Sequence, residues 1–450
     1  MRAALTFCFG VSYLANAFAQ SPVLADVNLV LMIAVVVLSF IAARGSSLVI
    51  GGVLCVLGIA MLAYAQAPLE TWKQALQENA YLIVLFIMVP LLGIPVQHGG
   101  YSDSLRGVFA RYAGTGGRFY ASVSVMTAAL GTLVSIAALP LTYEVARVSP
   151  HSKDGQLLSA ALSRGFITCM IWAPTSATIA LVVQLTGIDW VGFFPLALVC
   201  AVIAGVIGFL MTGLRMRGMR DAFPPQEASV QPFNVSKLVE LALFAGALIV
   251  VIVAISALCG LSVIMVVSLV SLAFPVAWMA VIGRLPCYVR EFKGSYWTRK
   301  LPQVKNQIVL FTGAGVFAAG ISSSHVGDAL AGALLTLTGQ NVALLTAVII
   351  AVALAASVVG VHPVAVVAVV GAAIGSAECG MSPVYLALVL SISWAMANAI
   401  CPASANVIAV ADMVGRSPLT VSLRWNAPYA LVSTVVLVGV LTLFRATGLA

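Results

Sequence analysis

The stretch WAMANAICPASANVIAVADMVG, from Trp394 to Gly415, decides how this chain folds. Its apolar flanks are long enough for a membrane helix, yet its middle holds Asn398, Pro402, Ser404 and Asn406. Proline has no N–H and its ring collides with the preceding turn, so the helix ladder breaks at Pro402 and carbonyls are freed. In hydrocarbon no water is at hand to take them. They must face protein, a water-filled cavity or a ligand. Taken alone, the stretch is equally a proline kink satisfied by neighbouring helices, and the reading turns on whether the pattern recurs.

Composition sets the class. Of 450 residues 62% are hydrophobic and only 8% charged, and apolar runs near the ~20 residues that cross a bilayer recur throughout. The chain reads as an all-α polytopic membrane protein in the cell (inner) membrane. The net charge of +8 sits in short loops between apolar runs, where it reports cytoplasmic orientation rather than nucleic-acid binding. The eight cysteines contain no C-x-x-C pair and lie mostly in apolar segments, as small core residues do. At the N-terminus, Arg2, an apolar run and Ala17-Phe18-Ala19 fit a cleaved signal peptide over residues 1–26 and an uncleaved first helix equally.

Residues 27–214 and 237–447 read as two halves, joined by the polar, proline-containing and cytoplasmic linker 215–236. Each half opens with a helical pair and continues with a third span, at Tyr81–Val96 and Asn306–Ile321. Leu85, Phe86, Asp103, Leu105, Gly107 and Gly114 recur without a gap at Leu310, Phe311, Asp328, Leu330, Gly332 and Gly339. With small gaps the register runs on, aligning Pro174, Ser176, Ala177 and Thr178 with Pro402, Ser404, Ala405 and Asn406. The break is therefore one of a pair, and the chain is an internal repeat.

Charge gives the hand of the repeat. The connector after the third span is basic in the first half (Arg106, Arg111, Arg118), while its equivalent, Ser322–Gln340, holds Asp328 and His325 but neither lysine nor arginine. One lies inside and the other outside, so the repeats are inverted, and the C-terminus falls outside. For the arginines after Leu214 to stay inside, the next apolar run must return to the side it came from. Each repeat is thus expected to hold scaffold helices, a re-entrant hairpin and a broken transmembrane helix. The hairpin tips fall near Thr132–Pro140 and Ser357–Pro363. Inverted repeats with discontinuous helices describe a secondary transporter, where half-helix N-termini meet an anion and unwound carbonyls a cation.

The run LFTGAGVFAAGISSSHVGDALA from Leu310 to Ala331, a hairpin, and then AICPASANVIAV resemble the second half of the ion-transporter superfamily. That superfamily includes divalent-anion/sodium symporters and arsenite-permease-like and sodium/proton-antiporter-like carriers. The resemblance implies a mobile transport domain of hairpins and broken helices beside a scaffold. Neither tip carries the Ser-Asn-Thr triplet of the dicarboxylate branch. The breaks do match, through Pro174-Thr175-Ser176 and Pro402-Ala403-Ser404-Ala405-Asn406.

Candidate substrate ligands are Ser135, Thr175, Ser176, His362, Ser404 and Asn406; candidate ligands of a coupling cation are Ser176, Thr178, Ser404 and Asn406, with Pro174 and Pro402 as the structural breaks. Hydroxyls, amides and freed carbonyls suit sodium. His362, at membrane depth and titrating near neutral pH, suits a proton or a ligand as well as a plain structural bond. Gly131 and Gly360 offer close backbone approach at the tips. Glu144 reads mainly as a boundary residue. Arg164 reads as an inner-entrance contact for carboxylates or as a side chain snorkelling to the cytoplasm. Trp190, Trp297 and Trp425 read as interfacial anchors.

The expected function is sodium- or proton-coupled symport of a small organic anion, with no cofactor beyond the coupling ion. The partners are that solute, the bilayer and possible homodimer formation, with no nucleic acid. A large membrane subunit fed by a soluble binding protein is the alternative. No metalloprotease, nucleophile-elbow or paired-aspartate motif points to an enzyme.

Overall fold

The computed structural model describes residues 2–217, 234–324, 326–374 and 379–450. His325 and most of the 215–236 linker lie outside the described residues. Among the described residues there is no strand, and ten helices are long and apolar enough to cross a bilayer. The chain is an all-α multi-pass membrane protein, as its composition requires.

Helix α1 (Arg2–Ala19) precedes the repeats and packs on α2 (Pro22–Ala42), burying Phe9 and Leu14. The first half continues with α3 (Ser46–Tyr64), a short α4 (Leu69–Gln77), and α5 (Ala80–Met88), which runs through a 3-10 turn into α6 (Gly93–His98). Then come the connector α7 (Ser102–Tyr112), α8 (Gly116–Val134), α9 (Ala138–Ala146), α10 (Gly155–Met170), α11 (Ala177–Thr186) and α12 (Trp190–Arg217).

The second half opens with α13 (Val235–Cys259) and α14 (Val263–Val281). A basic stretch follows, with α15 (Leu285–Glu291), a π-helical segment and the single turn α16 (Leu301–Gln303), and leads into α17 (Lys305–Ser323). The chain continues with α18 (Val326–Thr338), α19 (Val342–Val358), α20 (Pro363–Ala373), α21 (Pro383–Ile400), α22 (Ala405–Val414) and α23 (Ala427–Ala446).

The first hairpin is real. On α8 and α10, Ser124 lies against Gly165 and Gly131 against Cys169, so these two helices run parallel. The chain between them must come back, and α9 is the return arm. In the second half Tyr385 bonds Thr346 and Cys401 meets Val361, which makes α19 and α21 parallel and α20 the return.

Helix caps carry the same repeat. Asp154 and Ser382 cap α10 and α21; Ser176 and Ser404 cap α11 and α22; left-handed Gly187 and Gly415 end both broken helices. Each pair is 228 positions apart (154 to 382, 176 to 404, 187 to 415). Serine and aspartate take orphan N–H groups at a helix start, and glycine accepts positive φ at its end, so chemistry fixes these boundaries.

Packing is reciprocal. Helix α11 packs on α20 and α21, while α22 packs on α9 and α10; α3 packs on α17, and α14 on α5. Gly155, at the start of α10, meets Val414, at the end of α22; Gly371, at the end of α20, meets Leu185, near the end of α11. Equivalent broken helices therefore run in opposite directions, which is the geometry of an inverted repeat. Arg215 of α12 pairs with Asp154 at 2.8 Å, so the ends of α12 and α22 and the start of α10 share one basic end of the molecule.

The scaffold is joined by a glycine seam. Gly51 faces Val309 and Gly58 faces Val316 at the same seven-residue step, so α3 and α17 run parallel, with Gly313 and Gly320 lying on the backbone of Gly51 and Gly58. A side chain on any of the four would meet backbone. Apolar burial gives little association energy between helices in lipid, and close backbone packing takes its place. Gly313→Val is expected to lower stability by about 1–3 kcal/mol, whereas Gly52→Ala, whose added carbon meets nothing within 4 Å, should be neutral. Detergent thermal-stability assays of both variants check this.

Candidate functional site

Break 1 spans Ile171 to Ser176. Proline at position 174 interrupts the ladder, and Ser176 restarts it by accepting the N–H of Thr178 at 3.2 Å. Thr175 donates its hydroxyl to the carbonyl of Thr132 in α8 at 2.6 Å, which ties the break to its own hairpin. The carbonyl of Trp172 is taken by the indole N–H of Trp190 at 2.9 Å. Trp190 is buried and serves the break; it is not the interfacial anchor its place at a segment end suggests.

Break 2 spans Cys401 to Ser404. Ser404 Oγ donates to the carbonyl of Asn398 at 3.0 Å and accepts the N–H of Val407 at 3.2 Å. Cys401 Sγ donates to the carbonyl of Val361, in the second hairpin tip, at 3.7 Å. Both breaks are thus held to their hairpins by side-chain donors on main-chain carbonyls. Ser404 and Asn406 are buried, while Pro402 and Ala403 are half-buried and Ala405 is exposed, so break 2 opens on free space.

The tips are alike in backbone and unlike in residue. Gly360 has φ +92° at the second tip, and Ser135, its equivalent 225 positions earlier (135 to 360), has φ +53° at the first. A β-carbon makes that conformation costly, by about 1–2 kcal/mol. The first tip therefore holds in a serine the positive φ that the second holds in a glycine. His362 accepts the N–H of Val364 on Nδ1 at 3.3 Å and caps α20, leaving Nε2 as its available nitrogen. Gly131 is not at the tip. It packs inside α8, where an added carbon would meet Cys169 Sγ at 2.6 Å.

Asn406, the repeat equivalent of Thr178, reaches from α22 to α10. Its Nδ2 donates to Ser163 Oγ of α10 at 3.0 Å, and Asn426 Nδ2 reaches the same oxygen at 3.1 Å. Ser163 precedes break 1 by about two turns, because α22 leans on α10 rather than on the opposite break. Arg164 neither snorkels nor lies free. It is buried, donating to the Trp425 carbonyl at 3.1 Å. Glu144, half-exposed, pairs with Arg147 at 2.8 Å.

Three buried oxygens at the breaks have no hydrogen-bond donor: Asn398 Oδ1, Asn406 Oδ1 and Thr178 Oγ1. Leaving such a group unsatisfied costs about 1–3 kcal/mol. Asn398, Ser163 and Asn426 were missing from the residues expected here. Ser163 does have a repeat partner in Ser391, 228 positions on (163 to 391), and that spacing is the one sequence signal that leads to it.

No family model matches the chain, and no curated protein does. Its structure is similar to that of the YdaH transporter of Alcanivorax borkumensis, with TM-score 0.57 and 17% identity over 86% of this chain and 89% of that one. It is also similar to Neisseria gonorrhoeae MtrF, of a class of antimetabolite efflux pumps, with TM-score 0.50 and 12% identity over 79% of this chain and 80% of that one. The chain shares the fold of these transporters.

Thr175→Val removes the bond from break 1 to its hairpin. Stability should fall by about 1 kcal/mol, with faster amide exchange confined to residues 132–137. Hydrogen-exchange mass spectrometry reads the second effect directly.

Proposed function

We propose that the chain is a secondary active transporter that carries a small organic anion by alternating access, driven by sodium or protons. The observation that carries this reading is the set of unpaired, buried Asn398, Asn406 and Thr178 oxygens at two antiparallel helix breaks. A cation needs several oxygens, and unwound segments of membrane helices supply them. Neither 171–178 nor 398–406 contains Asp or Glu, so the ligands at the breaks are neutral oxygens. Two amide oxygens gather at break 2 against one hydroxyl at break 1, which favours break 2 as the stronger ion site, with Ser404 and Asn406 in it. Ser176 and Thr178 form its weaker counterpart.

The substrate lies against the exposed first turn of α22 and the tips. The half-helices α11 and α22 both begin at the breaks and present positive dipole ends to an anion there. Ser135, Thr175 and His362 Nε2 supply its remaining contacts. Hairpins and broken helices interleave, because α11 packs on α20 and α22 on α9. They move as one body against the scaffold built around the α3–α17 seam. Arg118, Lys153, Arg215, Arg416 and Arg424 gather at the basic end, which faces the cytoplasm by the positive-inside rule. This arrangement is the one implied by the ion-transporter superfamily resemblance.

Asn406→Ala and Ser176→Ala are expected to cut ion-driven uptake into proteoliposomes about tenfold or more, equal to ~1.4 kcal/mol of lost coupling. Both variants should still insert and fold, with stability lowered by only about 1 kcal/mol for the lost cap or hydrogen bond. Uptake at the wild-type rate with unchanged ion dependence in both variants would sink the assignment.

A further inference from the structure

A groove of about 620 Å³ runs along the first repeat, between α8 and α12, with α10 as its floor and α13 closing one side. Its walls are apolar, and Val125, Val202, Val206 and Phe209 on its rims stand exposed, on a face that meets lipid chains. The α8 wall runs from Tyr120 to Leu133, ~20 Å by helical rise. Gly165 lets α10 approach the backbone of Ser124 in α8, and Gly205 keeps the α12 wall free of a side chain opposite Thr168.

Arg164 lies in this groove toward its basic end, 7% exposed. All of its partners are neutral. Nη2 donates to the Trp425 carbonyl at 3.1 Å; Nη1 reaches Thr212 Oγ1 and Nε reaches Asn426 Oδ1, each at 3.5 Å; the guanidinium sits 4.8 Å from the centre of the Tyr429 ring. None of the ion pairs among the described residues includes it. Buried arginine is ordinarily paired with an anion, because neutral hydrogen bonds return only part of the hydration it gives up. None of its partners among the described residues is an anion, and the groove that it lines opens on an apolar face toward the bilayer.

We propose that this groove is a binding site for an acidic phospholipid of the leaflet at the basic end, with its phosphate on Arg164 and one acyl chain lying between α8 and α12. A single positive charge at one end of a chain-length apolar trough matches a lipid rather than a compact, water-soluble anion. Exposed Arg118, half a turn before Tyr120, adds attraction at the mouth. The far end of the acyl chain reaches Thr132, whose carbonyl receives Thr175. Occupancy braces the first hairpin against break 1, so the lipid stabilises the transport body itself. None of this depends on the substrate or coupling ion.

The test compares purified protein in nanodiscs of dioleoyl-phosphatidylglycerol and of dioleoyl-phosphatidylcholine. Wild type should melt about 3 °C or more higher in the acidic lipid, and native mass spectrometry should retain one phosphatidylglycerol. Arg164→Gln should lose both the difference and the retained lipid. Gly205→Leu fills the groove from its α12 wall without touching the charge and should lose them too, whereas Arg118→Gln should keep the retained lipid. Equal melting of wild type in both lipids overturns the proposal. So does an Arg164→Gln protein that keeps the acidic-lipid shift, or, should that variant not fold, a folded Gly205→Leu protein that keeps it. Added decanoate that abolishes the shift and is retained in place of the lipid would assign the groove to a soluble carboxylate and equally overturn it.

Discussion

The constraint on which this molecule depends is that a helix broken inside hydrocarbon must find partners for the backbone groups it frees. Each break solves this locally. Ser176 and Ser404 restart the helix from their own hydroxyls, Trp190 takes the Trp172 carbonyl, and Thr175 and Cys401 hold the breaks to carbonyls of their hairpins. A hairpin that dips into the membrane and returns is thereby the natural companion of a broken helix. The satisfied groups hold the breaks in place, while the side-chain oxygens of Asn398, Asn406 and Thr178 are left without a partner, and the proposed ion sites rest on them.

Symmetry supplies the frame and its departures supply the chemistry. The caps, the left-handed glycines and the reciprocal packing follow the repeat. Asn406 against Thr178, Ser135 against Gly360 and Arg164 against Ile392, 228 positions on (164 to 392), do not. At the tips the departure is a serine at φ +53° in the first half against a glycine at φ +92° in the second. The unequal pairs concentrate amide oxygens at break 2 and positive charge beneath break 1.

Much of the architecture was legible because membrane folding obeys local rules. Proline in an apolar run, basic loops on one side and serine before a half-helix each act within a few residues, so the hairpins, the breaks and the opposed hand of the repeats followed from sequence alone. Contacts between distant segments were not. Asn406 meets Ser163 across 243 positions, and nothing near either residue announces it. Aligning Asn406 with Thr178 says which residues are equivalent and not what each touches; α22 packs along α10, and that brings Asn406 to Ser163. Trp190 looked like an anchor because segment ends often hold one, but a freed carbonyl lay within its reach. The seven-residue steps of Gly51 to Gly58 and Gly313 to Gly320 stood in the sequence, hidden among 38 glycines.

The opposed direction of the two repeats can be measured without knowing what is carried. Ile188 and Arg416 are equivalent, each following the glycine that ends a broken helix. Placed as single cysteines in a cysteine-free background, they report the side on which each broken helix emerges. A membrane-impermeant maleimide applied to intact cells should label Ile188→Cys, and should reach Arg416→Cys only after the membrane is opened. Labelling of both from the same side would contradict the inverted repeat and the paired site built on it.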